Sequence, residues 1–320
     1  MSRQALRLIS TKNMSRAEWL SIRRQGIGSS DAAAAVGLNP YCSPLQLWLD
    51  KTGRSRDDEG AGDAAYWGTV LEPIVAEEYA RRTGRKVRRV NAVLQHPDHD
   101  FMLANLDREI VGGDNGPGIL ECKTSGYFAA KAWEEGVPEW YQIQVLHQLA
   151  VTDRAWADVA VLIAGQAFAI HRIERDEALI SQLIELERRF WQQVETDQRP
   201  ETDGSASCRH AINCLFPTDF GVVLDFQADD ELNALFTKLV DARGLAKEAA
   251  GEEERIRQQI QAAMGEATSA LFCHGSVRWK RCRDRMRFNT ATFEADHPEL
   301  AKQYQVVTPG SRRFTVSTSE

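Results

Sequence analysis

Apolar residues along the chain switch between two periods. From Tyr66 to about Arg82, Val70, Leu71, Ile74, Val75 and Tyr79 recur at three- and four-residue spacing, which predicts a helix with that stripe turned inward. The period then falls to two. "KVRRVNAVLQ", "FMLANLDREIV" and "ILECKTS" read as strands, and "GGDNGPG" (112–118) reads as a hairpin-closing turn. The helical period returns after Pro138, from Trp140 to Val151. "WADVAVLIAGQAFAIHRIE" predicts two strands around Gly165-Gln166. Residues 176–195 predict an amphipathic helix with Leu179, Ile180, Leu183, Ile184, Phe190, Trp191 and Val194 on one side.

Punctuation refines this pattern. In "SPLQLWLDKTG" (43–53), Ser43 caps a short helix, Pro44 takes its first position and Gly53 ends it. "SRDDEGAGDA" (55–64) reads as a polar loop. "DQRPETDGSAS" (197–207) is polar and glycine-containing, so the predicted division is a core over 1–205 and an extension over 206–320. The extension reads as helical over about 229–270, broken at Gly244 and Gly251, with Leu232, Leu235, Phe236 and Leu239 on its apolar face. A short β-rich tail follows. The expected fold class is therefore α/β (α+β), a mixed sheet flanked by helices, with a mostly helical extension ending in short strands.

Composition narrows the function classes. No apolar run approaches the ~18 residues a membrane helix needs, and "MSRQALRLISTKNMSRAEW" has no apolar signal region, so the expectation is a soluble, cytoplasmic protein with no membrane partner. The cysteines form no disulfide framework. Cys208, His210 and Cys214 could seed a metal site, but no second pair completes the usual four ligands. Net charge is −7, yet the positive charge is clustered: "RRTGRKVRR" (81–89) and "RWKRCRDRMR" (278–287) each hold six basic residues. If 278–287 is a strand, Arg281, Arg283, Arg285 and Arg287 share a face suited to DNA phosphates.

The chemistry centres on "LECK". In a strand, Glu121 and Lys123 share a face while Cys122 points the other way. A hairpin brings Asp107 beside Glu121, and Glu72 lies in what reads as the first turn of a helix. Converging carboxylates repel unless a cation joins them. Mg²⁺ accepts a few carboxylates, keeps waters and takes phosphate oxygens. A lysine beside it can orient or deprotonate water, and that set hydrolyses phosphodiesters. The bland alternative is a surface charge cluster.

Glu72, Asp107 and Glu121-x-Lys123 resemble the PD-(D/E)xK nuclease motif. "RRQGIGSSDAAAAVGLNPYCSPLQLWLDKTG", "WGTVLEP", "FMLANLDREI", "LECKTS" and "YQIQVLHQLAVT" together resemble the phage λ exonuclease-type (YqaJ-like) viral recombination nucleases, over about residues 19–195. "VRWKRCRDRMRFNTATFEADHPELAKQY" resembles extensions in YqaJ-like members more loosely. The resemblance implies a restriction-endonuclease-like sheet and two Mg²⁺ ions, with Mn²⁺ able to substitute. It implies metal binding by Asp107, Glu121, the Cys122 carbonyl and, through water, Glu72. Lys123 would activate water, with Gln144 supporting the site and Gln148 one turn further on. The sequence departs from the motif in one place: "NLD" stands where the family often has Pro before the aspartate.

The same resemblance implies 5'→3' digestion of double-stranded DNA ends to mononucleotides, leaving 3' overhangs for recombination. It also implies a homotrimer, a single-strand annealing protein as partner, and a phage or prophage source within a bacterial cell. No Walker loop appears, so no ATP-driven motor is expected. "RRQGIGSSDAAAAVG" (23–37) admits two readings. Gly26 and Gly28 could turn backbone N–H groups to a terminal 5'-phosphate at a helix start, aided by Ser30 and Arg23 or Arg24. Alternatively, Ser29, Ser30 or Asp31 merely caps the helix. The competing functions are a structure-specific or nicking endonuclease and a non-catalytic DNA-end-binding protein.

Overall fold

The computed structural model describes residues 5–55, 62–112, 116–308 and 310–318. Most of the loop predicted over 55–64, and residues 113–115 of the predicted hairpin turn, lie outside the described residues. The chain divides into two units, Met1–Phe216 and Pro217–Glu320.

The first unit runs β1 (Leu6–Ser10), α1 (Arg16–Arg23), β2 (Ile27–Gly28), α2 (Ala32–Ala35), α3 (Pro44–Lys51), α4 (Asp63–Thr83), β3 (Lys86–Arg88), β4 (Ala92–Gln95), β5 (Met102–Ala104), β6 (Arg108–Val111), β7 (Gly118–Ser125), α5 (Glu139–Thr152), β8 (Trp156–Ile163), β9 (Ala167–Glu174), α6 (Glu177–Glu195) and α7 (Ala206–Leu215). It holds two sheets, ordered β1-β4-β5-β2 and β3-β6-β7-β8-β9. β6 and β7 form the expected antiparallel hairpin, and β7 pairs with β8 in parallel across α5. The mixed sheet flanked by helices is the fold class the periodicity predicts.

Three local expectations change in this unit. "FMLANLDREIV" is two strands rather than one: β5 joins the first sheet and β6 the second, and Asp107 sits just before β6 where the chain crosses between them. Of the apolar stripe on α4, Val75 and Tyr79 are buried, but Val70 and Ile74 are exposed. Glu72 lies mid-helix, because α4 begins at Asp63. The polar stretch 197–207 does not end the unit either. α7 follows it, with Cys208 and Ala211 in the main core, so the division falls at Phe216 rather than at 205. His210 Nε2 and Cys214 Sγ lie 3.4 Å apart one turn along α7, while Cys208 faces the core.

The second unit contains α8 (Asp230–Met264), β10 (Ser269–Phe272), β11 (Gly275–Arg278), α9 (Thr290–Asp296) and α10 (Pro298–Gln303). α8 runs unbroken through Gly244 and Gly251. Each glycine costs about 1 kcal/mol against alanine, and the Ala, Glu, Lys, Arg and Gln around them outweigh that. Residues Arg281, Arg283, Arg285 and Arg287 are not in a strand. β10 supplies only four residues, and its rung Ser269↔Arg278 is the last, so the arginines beyond have no strand to pair with. The tail closes in short helices rather than strands. Among the described residues, no helix is long and apolar enough to cross a membrane.

One buried pair anchors the helix behind the site. His147 on α5 and Glu187 on α6 are fully buried and 2.8 Å apart, and the other imidazole nitrogen meets the Leu103 carbonyl of β5 at 2.9 Å. Two acceptors on two ring nitrogens favour the doubly protonated ring. Burial opposes that charge, but Glu187 and the Leu103 carbonyl outweigh burial and raise the His147 pKa. The raised pKa means this contribution to stability is complete below the unfolded value of about 6.5 and fades as pH rises through the folded one. Glu187→Gln should destabilise the protein by about 3–5 kcal/mol, because it removes one partner of a fully buried pair. Urea unfolding at pH 6 checks this, and a loss under about 1 kcal/mol would contradict it.

Candidate active site

The β6–β7 hairpin sets out the carboxylates. Asp107 stands just before β6 and accepts the Cys122 backbone N–H at 2.8 Å. Glu121 precedes Cys122 and is 3% exposed. Burial pushes the Asp107 carboxyl well above the usual carboxylate range, and the negative charges of Glu121 and Glu72 push it further, against the Cys122 N–H and the Lys123 ammonium. The two strands thus hold carboxylates where they repel.

Helix α5 supplies the donors that hold Glu121. Gln144 Nε2 donates to Glu121 Oε1 at 2.6 Å, and Gln148 Nε2 donates to Oε2 at 2.8 Å. Lys123, two residues along β7 on the same face, reaches Glu121 Oε1 at 2.8 Å and Gln144 Oε1 at 2.9 Å. Its ammonium also lies 4.4 Å from the Tyr141 ring centre. Burial works to lower the Lys123 pKa, but Glu121 more than offsets it and the net shift is upward. Lys123 is therefore a cation as it stands. Gln148 Oε1 is buried with no hydrogen-bond partner, an unmet acceptor at the edge of this cluster.

Glu72 is placed differently. Its carboxylate pairs with Arg108, which also donates to the Asp107 carbonyl. Glu72 acts on Asp107 through its charge but does not line the cavity that Asp107 and Glu121 share. Among the described residues, no three His, Cys, Asp or Glu side chains close around one point. The carboxylates that face this cavity are thus Asp107 and Glu121. That fits Mg²⁺, which commonly takes one or two carboxylates and completes its shell with waters and phosphate oxygens. The mutual repulsion that raises the Asp107 pKa is what a bound cation would relieve.

The segment 23–37 folds into something other than a long capped helix. Gly26-Ile27-Gly28 leads into and forms β2, parallel to β5. The residues after it form a single 3₁₀ turn, Ser29–Asp31, and then the one-turn α2. Gly26 is needed for close approach: a Cβ there would lie 2.5 Å from the Phe101 carbonyl oxygen. The Gly28 N–H donates to Asp31 at 3.3 Å rather than standing free for an anion. With one helical turn behind it, the dipole contribution expected here is small.

The positive charge survives, from a source the sequence reading missed. Asp31 is buried, paired on one oxygen with Arg23 and on the other with Lys51 at 2.7 Å. Burial pushes the Asp31 carboxyl up, but Lys51 and Arg23 pull it down further, to about 2. The Asp50 carboxylate also acts on Lys51, so the cation this cluster presents to the cavity is Arg23. Arg23 lies over Trp19 at 4.6 Å and donates to Ser30 Oγ at 3.3 Å. Lys51 closes α3 on its buried side, where a helix C-terminus favours a cation, and only the fold brings it to Asp31. Arg24 is exposed and does not line the cavity.

A cavity of about 170 Å³ joins the two clusters. Trp19, Arg23, Gly28, Ser29 and Ser30 line one side, and Asn105, Asp107, Glu121 and Gln144 line the other. Arg23, Gly28, Ser30, Asp107, Glu121 and Gln144 are thereby brought together, with Lys123 bonded to two of them. Arg281, Arg283, Arg285 and Arg287 belong to the second unit.

Comparison with known proteins matches residues 18–155 to the YqaJ-like viral recombinase domain. "Uncharacterized protein YqaJ" of Bacillus subtilis (strain 168) is 36% identical over 320 residues, covering 98% of each chain. An alkaline exonuclease from Laribacter hongkongensis is similar in structure, at 23% identity and a TM-score of 0.46 over 57% of this chain and 94% of its own. A phage-related exonuclease from Haemophilus somnus 129PT gives 13% identity and a TM-score of 0.41 over 56% of this chain and 99% of its own. The site residues 23, 107, 121, 123 and 144 all fall inside the matched stretch, and with the near-full-length relative this shows that the chain belongs to the YqaJ-like viral recombinase family.

Proposed function

We propose that the protein is a metal-dependent, ATP-independent 5'→3' exonuclease on double-stranded DNA ends, which releases mononucleotides and leaves 3' overhangs for recombination by strand annealing. The observation that carries this reading is the shared cavity. It sets the guanidinium of Arg23 and the hydroxyl of Ser30 beside the carboxylates of Asp107 and Glu121. An end-reader needs a terminal-phosphate pocket close to the cut, and an internal cutter does not.

Each residue then has a task. Arg23 offers a guanidinium fork to the terminal phosphate, held in place by Asp31 and stacked on Trp19. The Ser30 hydroxyl gives a second donor. Asp107, Glu121 and the Cys122 carbonyl would hold Mg²⁺, which when bound polarises the phosphoryl oxygen and steadies the leaving oxygen. Gln144 and Gln148 fix the Glu121 carboxylate. Lys123 orients the attacking water and shares its position with Gln144. Glu72, tied to Arg108, sets the potential at Asp107 and supports water on that side. Recombination use, an annealing-protein partner, a homotrimer and a cytoplasmic setting belong to this reading through the family.

Two outcomes are expected. Asp107→Ala, Glu121→Ala and Lys123→Ala should each lower duplex-DNA cleavage by several orders of magnitude with the melting temperature held near wild type, and EDTA should stop the wild type. A Lys123→Ala variant that cleaves near the wild-type rate would remove the site assignment. Linear duplex with a 5'-phosphate should be digested ~10-fold or more faster than the 5'-hydroxyl form, since a charged hydrogen bond is worth about 1.5–3 kcal/mol. Arg23→Ala should erase that preference and leave the hydroxyl rate nearly unchanged. Paired time courses read both, and a preference that persists in the variant would leave the 23–37 segment as a structural turn and favour an endonuclease.

A further inference from the structure

The basic cluster 81–89 is mostly consumed by ion pairs. Arg81 and Arg82 pair with Glu78, and Arg85 pairs with Asp158. Its last two members behave differently. Arg88 and Arg89 line a cavity of about 340 Å³ together with Arg7 and Arg154. Elements distant in sequence build it: β1, the end of β3, β4, β6 and the turn after α5.

The cavity is organised around one buried carboxylate. Glu109 is 5% exposed and lies directly across the β3–β6 ladder from Arg88. One of its oxygens accepts from Arg88 and the other from Arg154, so a single anion holds two guanidinium groups in fixed positions. Arg7 comes from the opposite wall. It sits across from Leu94 in the β1–β4 ladder, and Leu94 lines the same cavity. Among the described residues, neither Arg7 nor Arg89 makes an ion pair, and both are exposed. Four guanidinium groups against one carboxylate leave a surplus of three positive charges around an open space.

The cavity is separate from the one that holds Asp107. The neighbouring β4 residues Val93 and Leu94 line different cavities, Val93 the candidate active site and Leu94 this one. Successive residues of a strand point to opposite faces, so the two cavities lie on opposite faces of the β1-β4-β5-β2 sheet. Guanidinium groups that project at different angles, two of them preset by a buried carboxylate, suit a ligand with repeated phosphates rather than a single carboxylate.

We propose that the Arg7–Arg88–Arg89–Arg154 cavity is a second DNA-backbone site, which grips phosphodiesters on the face of the sheet away from the cleavage site. This rests on the nuclease reading and deepens it. Such a grip holds the duplex or the spared strand while the cut strand occupies the active site, and it contributes affinity without touching the reacting phosphate. The contacts are purely ionic and carry no base information.

The test measures binding alone, in the Lys123→Ala background with Ca²⁺ in place of Mg²⁺, by fluorescence anisotropy of a labelled duplex across a salt series. Arg7→Gln/Arg89→Gln should weaken binding at least tenfold near 0.1 M salt. It should also reduce the slope of log K against log salt by about 2, since each phosphate contact contributes about 0.9. Arg189→Gln/Arg209→Gln removes the same charge from exposed positions outside the cavity and should leave the slope unchanged. If the Arg7/Arg89 variant keeps the parent slope, or if the control pair lowers it equally, the proposal fails while the nuclease reading stands. Calorimetry with inorganic phosphate covers the other source of this chemistry: phosphate binding that the Arg7/Arg89 variant loses, with an unchanged DNA slope, would assign the cavity to a free anion and overturn the DNA role. A parent protein with no affinity for DNA would overturn both readings at once.

Discussion

The structure of the site depends on meeting the oxygens of one buried carboxylate, Glu121. Burying such a group without hydrogen-bond partners is costly. Here its oxygens are met by Lys123 and by the amide groups of Gln144 and Gln148, all within 2.9 Å. Those donors come from one strand and one helix, so the β7–α5 unit has to form for the site to exist. The His147–Glu187 pair and the Leu103 carbonyl bind α5 to α6 and β5 on the far side. Fold and site therefore share their supports.

The second constraint is electrostatic pairing between the two ends of the cavity. Asp107 and Glu121 set carboxylates at one wall, while Arg23 sets a guanidinium at the other. A terminal nucleotide carries anions at both ends, one free phosphate and one scissile phosphodiester. On the proposed reading, Arg23 would receive the first directly, and the acidic wall would receive the second only with a cation between, which would tie cleavage to metal binding. Asp31, a candidate helix cap on the sequence, turns inward and becomes the clamp that positions Arg23.

Much of this was legible in the sequence, for identifiable reasons. Period-two patterning and the glycine-rich turn placed the β6–β7 hairpin, and alternation along β7 put Glu121 and Lys123 on one face. Helical spacing put Gln144 and Gln148 one turn apart on α5, and both reach Glu121. Contacts between distant segments were not legible. Lys51 finds Asp31 only through the packing of α3, and Arg108 takes Glu72 because β6 passes beside α4. The short α2 defeated a propensity argument: four alanines favour a helix, but the chain turns away at Gly37, whose φ of +77° ends it. At 278–287, alternation of arginines suggested a strand, yet a strand needs a neighbour, and β10 stops short.

The central claim is that the cavity seats the 5'-terminal nucleotide with its phosphate at Arg23 and its 3' bond at the carboxylates. The most direct test follows two labels on one blunt, 5'-phosphorylated duplex, one on the 5'-terminal nucleotide and one on the 3'-terminal nucleotide of the same strand, through a single turnover in Mg²⁺. The account predicts that the 5' label leaves first, as a mononucleotide, while the 3' label stays in the polymer. Release of the 3' label first, or of either label in an oligonucleotide, would contradict it.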